Sequence, residues 1–260
     1  MKFEIIGNLN NPLIMMLTGS FCPSSGLKYL YEKLKDDYCL ILPEYNGHYE
    51  NSTFTTRQNE AKEVVDYIQK QNVHTIKMIY GQSMGAEIAI ELFKQLEKIN
   101  ISVEYCFLDG APCIKLPNFY KKIMYFKFNQ ILKMMKKKDV DQILNMKLIK
   151  KIARGNTENL RPMIESMALT SQFLTKESIK NETECCYTFD FPFFDKESQN
   201  KMYFFYGKEE KAYKTCYRGV KKAYPQSNYI FKEGYGHLMY SIKKTDDYIE
   251  ILKEICEKWR

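Results

Sequence analysis

Short apolar runs alternate along this chain with longer segments carrying apolar residues at helical spacing, and no other feature narrows the folds open to it so far. Residues 13–17, 39–42, 76–80, 103–108, 202–206 and 229–231 read as strands, buried on both faces because they lack an alternating polar set. Residues 27–35, 55–71, 86–98, 213–223 and 246–258 read as amphipathic helices between them. Parallel strands need a long crossover, and a helix is the usual one. The rhythm therefore implies an α/β architecture with a mainly parallel central sheet flanked by helices on both faces.

The rhythm breaks over 112–195, where helix-like segments at 126–137 and 140–153 follow one another without strands between them. This stretch reads as a helical cap inserted into a core built from 1–111 and 196–260. A chain of 260 residues accommodates one α/β domain with such an insertion. With 45% hydrophobic and 27% charged residues, and no long Pro-, Gly- or Ser-rich run, the chain should fold throughout.

The formal charge is +7, but 32 acidic residues are mixed among the 39 basic ones, so no nucleic-acid partner is expected. One segment does concentrate positive charge: FKFNQILKMMKKK joins Ile131, Leu132, Met134 and Met135 to Lys133 and the lysines at 136–138. A basic amphipathic helix of this kind lies on a membrane surface, closes over a lipid-like substrate, or packs its apolar side on the core and solvates its lysines, and the last is the expected role. No apolar segment of signal-peptide length follows Met1, and no run of about 18 apolar residues occurs, which leads to an expected cytoplasmic location. The eight cysteines are scattered and form no paired CxxC clusters, so packed, reduced thiols are expected and neither disulfides nor a metal site. Cys185 and Cys186, read as part of an extended segment, would point to opposite faces.

The strand ending TIKMIY leads into Gly81-Gln82-Ser83-Met84-Gly85 and then into the helix-like AEIAIELFKQLEK. A serine between strand and helix, with glycines two residues to either side, marks a sharp turn in which neighbouring backbone approaches closely and the hydroxyl stands above the strand end. Ser83 is thus a candidate nucleophile. A serine hydroxyl needs a base, and histidine suits that task near neutral pH. Of three histidines, His74 precedes the Ser83 strand and should lie at the opposite sheet end. His48 follows a strand and shares the rim, whereas His237 follows the last strand in the loop EGYGHLMY, where glycines let an imidazole swing over the serine. Position favours His237 as the base.

The acid that orients the imidazole should follow the strand KMYFFYG, which leads into Lys208-Glu209-Glu210. Glu210 is favoured, Glu209 fits a tighter loop, and Asp109 or Asp190 would replace them if both glutamates are plain surface charges. The developing oxyanion needs donors: the Met84 N–H at the helix start, and a second from the loop after LIMMLTG, where Ser20 stands.

Together LIMMLTGSF, LILPEYNGHYE, YGQSMGAEIA, FFYGKEE and EGYGH resemble successive landmarks of the α/β-hydrolase superfamily, over all of the chain but the cap. The resemblance implies an eight-stranded type of sheet, a cap over the site, a catalytic triad mapping onto Ser83, Glu210 and His237, and oxyanion N–H groups from Ser20 and Met84. It implies a serine hydrolase that cleaves a carboxylic ester, amide or thioester of a small or lipid-like acyl substrate through an acyl-enzyme, without a cofactor. Two departures stand out: Thr18-Gly19 replaces the usual His-Gly, and the acid is Glu in place of the commoner Asp. A non-catalytic ligand-binding protein and a membrane-surface lipase or lysophospholipase are the rival readings. The many aromatics of the cap, Phe119, Tyr120, Tyr125, Phe126, Phe128, Phe189, Phe191, Phe193 and Phe194, suit an apolar pocket or ordinary core packing alike.

Overall fold

The computed structural model describes residues 1–152 and 157–257. Its strands are β1 (Lys2–Ile6), β2 (Leu13–Leu17), β3 (Cys39–Glu44), β4 (Thr75–Gln82), β5 (Ser102–Asp109), β6 (Met202–Gly207) and β7 (Asn228–Lys232), which form one sheet in the order β1-β3-β2-β4-β5-β6-β7. Every neighbouring pair is parallel except β1 with β3. Among the described residues the sheet has seven strands, one fewer than the resemblance implied. The reading from periodicity missed β1, whose KFEII alternates too little to signal a strand. As an edge strand it buries only part of one face, so mixed polarity costs it little.

Helices fill the crossovers: α1 (Lys28–Leu34), α2 (Arg57–Lys70), α3 (Met84–Glu97), α10 (Lys211–Ala223) and α12 (Thr245–Glu257). The last helix was expected to reach Lys258, which lies outside the described residues. Alternate strand residues go to opposite faces. Met15, Leu17, Ile79, Cys106, Leu108 and Phe204 pack with Ala61, Val64, Ile88, Leu92 and Val220 of α2, α3 and α10. Ile14, Met16, Met78, Tyr80, Phe107 and Phe205 pack with Leu30, Leu34, Tyr248 and Leu252 of α1 and α12. Two covered faces explain why the strands read as continuous apolar runs rather than as alternating ones.

Between β5 and β6 lie α4 (Asn118–Met135), α5 (Val140–Leu144), α6 (Lys147–Ile152), α7 (Arg161–Ser171) and α8 (Lys176–Tyr187); α9 (Lys196–Asn200) leads into β6. These helices have a small core of their own, in which Leu132, Met135, Ile143, Ile164, Leu174 and Ile179 surround Phe21 from the loop after β2. The helix expected over 140–153 is two helices: Asn145 ends α5, its side-chain N–H donating to the Asp141 carbonyl at 3.0 Å, and α6 then begins. Its expected end at Ala153 falls outside the described residues. Asp139 and Thr175 cap α5 and α8 by accepting the Gln142 and Ser178 N–H groups at 2.7 and 3.0 Å.

Cys185 and Cys186 correct another expectation. They lie in α8, not in an extended segment, and both thiols are buried. An extended reading failed because β-branched and sulfur-bearing residues at the end of a helix resemble a strand locally, while burial against α3 decides the matter. In the basic segment Leu132 and Met135 are buried and Lys133 and the lysines at 136–138 are exposed, the arrangement of a helix packed on its apolar side. Among the described residues no helix is long and apolar enough to cross a membrane.

Candidate active site

Ser83 stands between the end of β4 and the start of α3 with φ 55° and ψ −118°, in the left-handed region that a non-glycine residue enters only under tertiary constraint. Its N–H donates to the Asp109 carbonyl at 2.8 Å, which ties the turn to β5. The flanking glycines are sterically required. A Cβ on Gly81 would lie 2.7 Å from the Ala86 Cα and 2.8 Å from its nitrogen, and one on Gly85 would run into the Leu17 and Thr18 backbone. Helix α3 can therefore start directly against β2 and β4 and aim the serine outward.

His237, in the loop between β7 and α11 (Met239–Lys243), places Nε2 3.1 Å from Ser83 Oγ. Its Nδ1 lies 2.6 Å from Glu210 Oε2. Glu210 is almost fully buried, and its other oxygen accepts the Gly207 N–H at 2.9 Å, which holds the carboxylate against the end of β6. Glu209, one residue earlier, turns outward and accepts from Lys214 Nζ at 2.8 Å. A one-residue difference thus separates the two glutamates completely, because the Glu210 N–H bonds back to the Gly207 carbonyl and the chain enters α10 there.

Desolvation pulls the His237 imidazolium down, but the hydrogen bond and charge of Glu210, joined by the charge of Asp109, outweigh it and raise the pKa above its ordinary 6.5. Asp109 is buried, and burial pushes its carboxyl up to about 7 although Tyr248 donates to it at 2.7 Å. The alternative acids do not meet the imidazole nitrogens: Asp109 is taken up by Tyr248, and Asp190 is a surface residue paired with Lys115 at 2.7 Å. His74 is exposed at the N-terminal end of β4, the far side of the sheet from Ser83.

Across the serine lies the loop after β2. A Cβ on Gly19 would sit 3.4 Å from the Ser83 Cβ, so the Gly19–Ser20 backbone borders Ser83. Met84 is the first residue of α3, and its N–H has no acceptor within the helix. The Gly19–Ser20 backbone and the Met84 N–H thus both adjoin Ser83, the first across from it in the loop after β2 and the second as its neighbour in the chain. Thr18, where His is usual, is buried, and its carbonyl accepts the Tyr45 hydroxyl at 3.1 Å.

Two contributors escaped the sequence. Gly110 has φ 62°, and a Cβ there would lie 2.6 Å from His237 Cε1 and 2.8 Å from its Nδ1. Its signal, a glycine just after a strand, is too common to single out. The second is a buried cluster in which His48, expected at the rim, is enclosed between Glu182 of α8 and Glu44 of β3, its Nε2 3.0 Å from Glu182 Oε1 and its Nδ1 3.2 Å from Glu44 Oε1. Burial pulls the His48 pKa down, yet the charge and hydrogen bond of Glu182, then those of Glu44, carry it up to about 10. Nothing in KESIKNETECCY sets Glu182 apart from the glutamates around it, so only the tertiary structure reveals its burial.

A mostly parallel sheet, helices on both faces, and a serine, a histidine and a carboxylate delivered by three strand ends define the α/β-hydrolase fold. Solved structures agree. The chain superposes with a TM-score of 0.75 at 18% identity on a protein assigned to the α/β hydrolase family from Desulfitobacterium hafniense, covering 98% of this chain and 99% of that one. It is similar to MenH from S. aureus (TM-score 0.74, 13% identity, 98% of each chain) and to the esterase EaEST from Exiguobacterium antarcticum (TM-score 0.68, 18% identity, 98% of this chain and 95% of that one). No protein-family model and no curated protein matches the sequence.

Proposed function

We propose that this protein is a serine hydrolase that cleaves a carboxylic ester of a small or lipid-like acyl substrate, with Ser83 as nucleophile, His237 as base, Glu210 as the acid that orients it, and the Ser20 and Met84 N–H groups as oxyanion donors. The observation that carries this reading is the unbroken relay from Ser83 Oγ to His237 Nε2 at 3.1 Å and from His237 Nδ1 to Glu210 Oε2 at 2.6 Å. Ser83 Oγ attacks the carbonyl carbon while its proton passes to Nε2. The tetrahedral oxyanion collapses, and the leaving alkoxide takes that proton, which leaves an acyl-enzyme. Water then gives a proton to His237, attacks the acyl carbon and releases the acid with Ser83 restored. The same steps serve an amide or a thioester. The likeness to the esterase EaEST supports the choice of an ester.

In this reading 112–195 form a cap over a core of 1–111 and 196–260, and the apolar core that the cap helices build around Phe21 supports it. The test is labelling with a fluorophosphonate. The wild type should form one adduct, located on Ser83 by peptide mass analysis and lost in Ser83→Ala; a folded wild type that takes up no label would favour a ligand-binding protein that does not turn over.

A membrane-surface lipase is the second reading, favoured by one feature of α4. Phe119 and Phe126, seven residues apart and so on one face, are 69% and 61% exposed, and Lys122 and Lys133 continue that face. On this reading the protein floats with phosphatidylserine vesicles in low salt, and Phe119→Ser with Phe126→Ser weakens flotation by about tenfold or more. Equal flotation with phosphatidylcholine alone, or none in low salt, would dismiss it.

A further inference from the structure

The loop that carries the Ser20 N–H is gripped by the helical insertion, not by the sheet alone. Phe21 occupies the left-handed region with φ 60°, which strains a non-glycine residue and must be held from outside. Both of its backbone groups are held by the insertion: the N–H donates to Glu182 Oε2 of α8 at 2.8 Å, and the carbonyl accepts the Thr170 hydroxyl of α7. Three residues on, Ser24 donates its N–H and its hydroxyl to Glu44 Oε2 at 2.9 and 2.8 Å. His48 lies between the two carboxylates, hydrogen-bonded to Glu182 through Nε2 and with Nδ1 3.2 Å from Glu44 Oε1. Glu182 and His48 are buried, and a carboxylate taken out of water is strongly disfavoured unless it is fully partnered. Glu182 meets that condition only while α8 is seated on the loop.

We propose that Glu182 is a positioning residue for catalysis: with His48 and Thr170 it makes the oxyanion hole dependent on the docked cap. The geometry gives the reason. The Phe21 N–H on Glu182 and the Phe21 carbonyl on Thr170 fix the peptides on either side of Phe21, and the peptide that carries the Ser20 N–H is the next one back in the chain, beside Gly19 where the loop borders Ser83. When α8 lifts, the Phe21 N–H loses its acceptor, the left-handed turn loses its support, and the Ser20 donor relaxes. An open cap would then leave Ser83, His237 and Glu210 in place but without half of the oxyanion stabilisation, so that the site is fully competent only when closed. This inference rests on the reading of Ser20 as an oxyanion donor in a serine hydrolase.

The test uses the fluorophosphonate again, because its phosphoryl oxygen seeks the same donors and its saturation kinetics separate reversible binding (KI) from the chemical step (kinact). Removing one oxyanion donor costs about 10²–10³-fold in the chemical step. Glu182→Met keeps the length of the side chain and removes the acceptor of the Phe21 N–H; kinact is expected to fall about 10–100-fold with KI within about twofold. Should Glu182→Met fail to fold, Thr170→Val removes the other hold on Phe21 at constant volume, and Thr170→Ser restores the hydroxyl. Several-fold loss in Thr170→Val that Thr170→Ser recovers supports the proposal. Wild-type kinact in folded Glu182→Met, or equal kinact in the two Thr170 variants where it does not fold, overturns it. A wild type that never labels at Ser83 overturns instead the hydrolase reading beneath it.

Discussion

Glu210→Gln should lower kcat by about 10⁴-fold with little change in KM or in folding, whereas Glu209→Gln should stay within about twofold of wild type. The contrast follows from hydrogen-bond polarity. Glu210 Oε1 accepts the Gly207 N–H, so a glutamine there would keep its oxygen on Gly207 and turn its amide N–H toward His237 Nδ1. A donor facing Nδ1 forces the imidazole into the tautomer with the proton on Nε2, which cannot then take the Ser83 proton. Glu209 meets Lys214 at half-exposed positions and plays no part in that choice. The pH profile gives a second readout. The base acts only when neutral, so kcat/KM should rise with pH through the His237 pKa, which lies above 6.5 because the Glu210 hydrogen bond and charge overcome desolvation. In Glu210→Gln that limb should move to lower pH. Loss of activity in Glu209→Gln with Glu210→Gln unaffected would reassign the acid.

The second large effect is expected at a glycine. Gly110→Ala should reduce kcat by about 10²-fold, the cost of displacing a reacting group by about 1 Å. The new Cβ would lie 2.6 Å from His237 Cε1 and 3.3 Å from Glu210 Oε2, so the imidazole must leave the line between Ser83 and Glu210. Backbone strain at φ 62° adds about 1–2 kcal/mol, or a Tm lower by about 2–8 °C. Gly234→Ala separates the two contributions: its φ is 74°, but nothing stands within 4 Å of the added methyl group. It should lower Tm comparably and leave kcat unchanged. Equal kcat in Gly110→Ala and wild type would show that the ring has room that the geometry denies it.

These cases mark where sequence reasoning reached and where it stopped. The turn at Ser83 was legible because its requirement is local: Gly81 and Gly85 are needed by atoms no more than a few residues or one strand away, and a strand-turn-helix pattern exposes that need. Its histidine was legible from chain order alone, since a loop after the last parallel strand must open on the same rim as the loop after β4. The carboxylate that meets His237 was legible only to within two residues. Glu209 and Glu210 have the same chemistry, and their separation depends on how the turn closes on Gly207.

Periodicity and turn chemistry, both properties of neighbouring residues, determined the parallel sheet, its covering helices, the helical stretch between β5 and β6, and the serine between β4 and α3. Only the tertiary structure decided the strand order, the antiparallel edge strand β1, the helical state of Cys185 and Cys186, the choice of Glu210, and the burial of Glu182 against His48 and Phe21. The physical reason is range. A hydrophobic period is repeated along a segment and survives in one dimension, whereas a buried carboxylate is stabilised by partners 134 and 161 residues away, to which nothing in its own segment points.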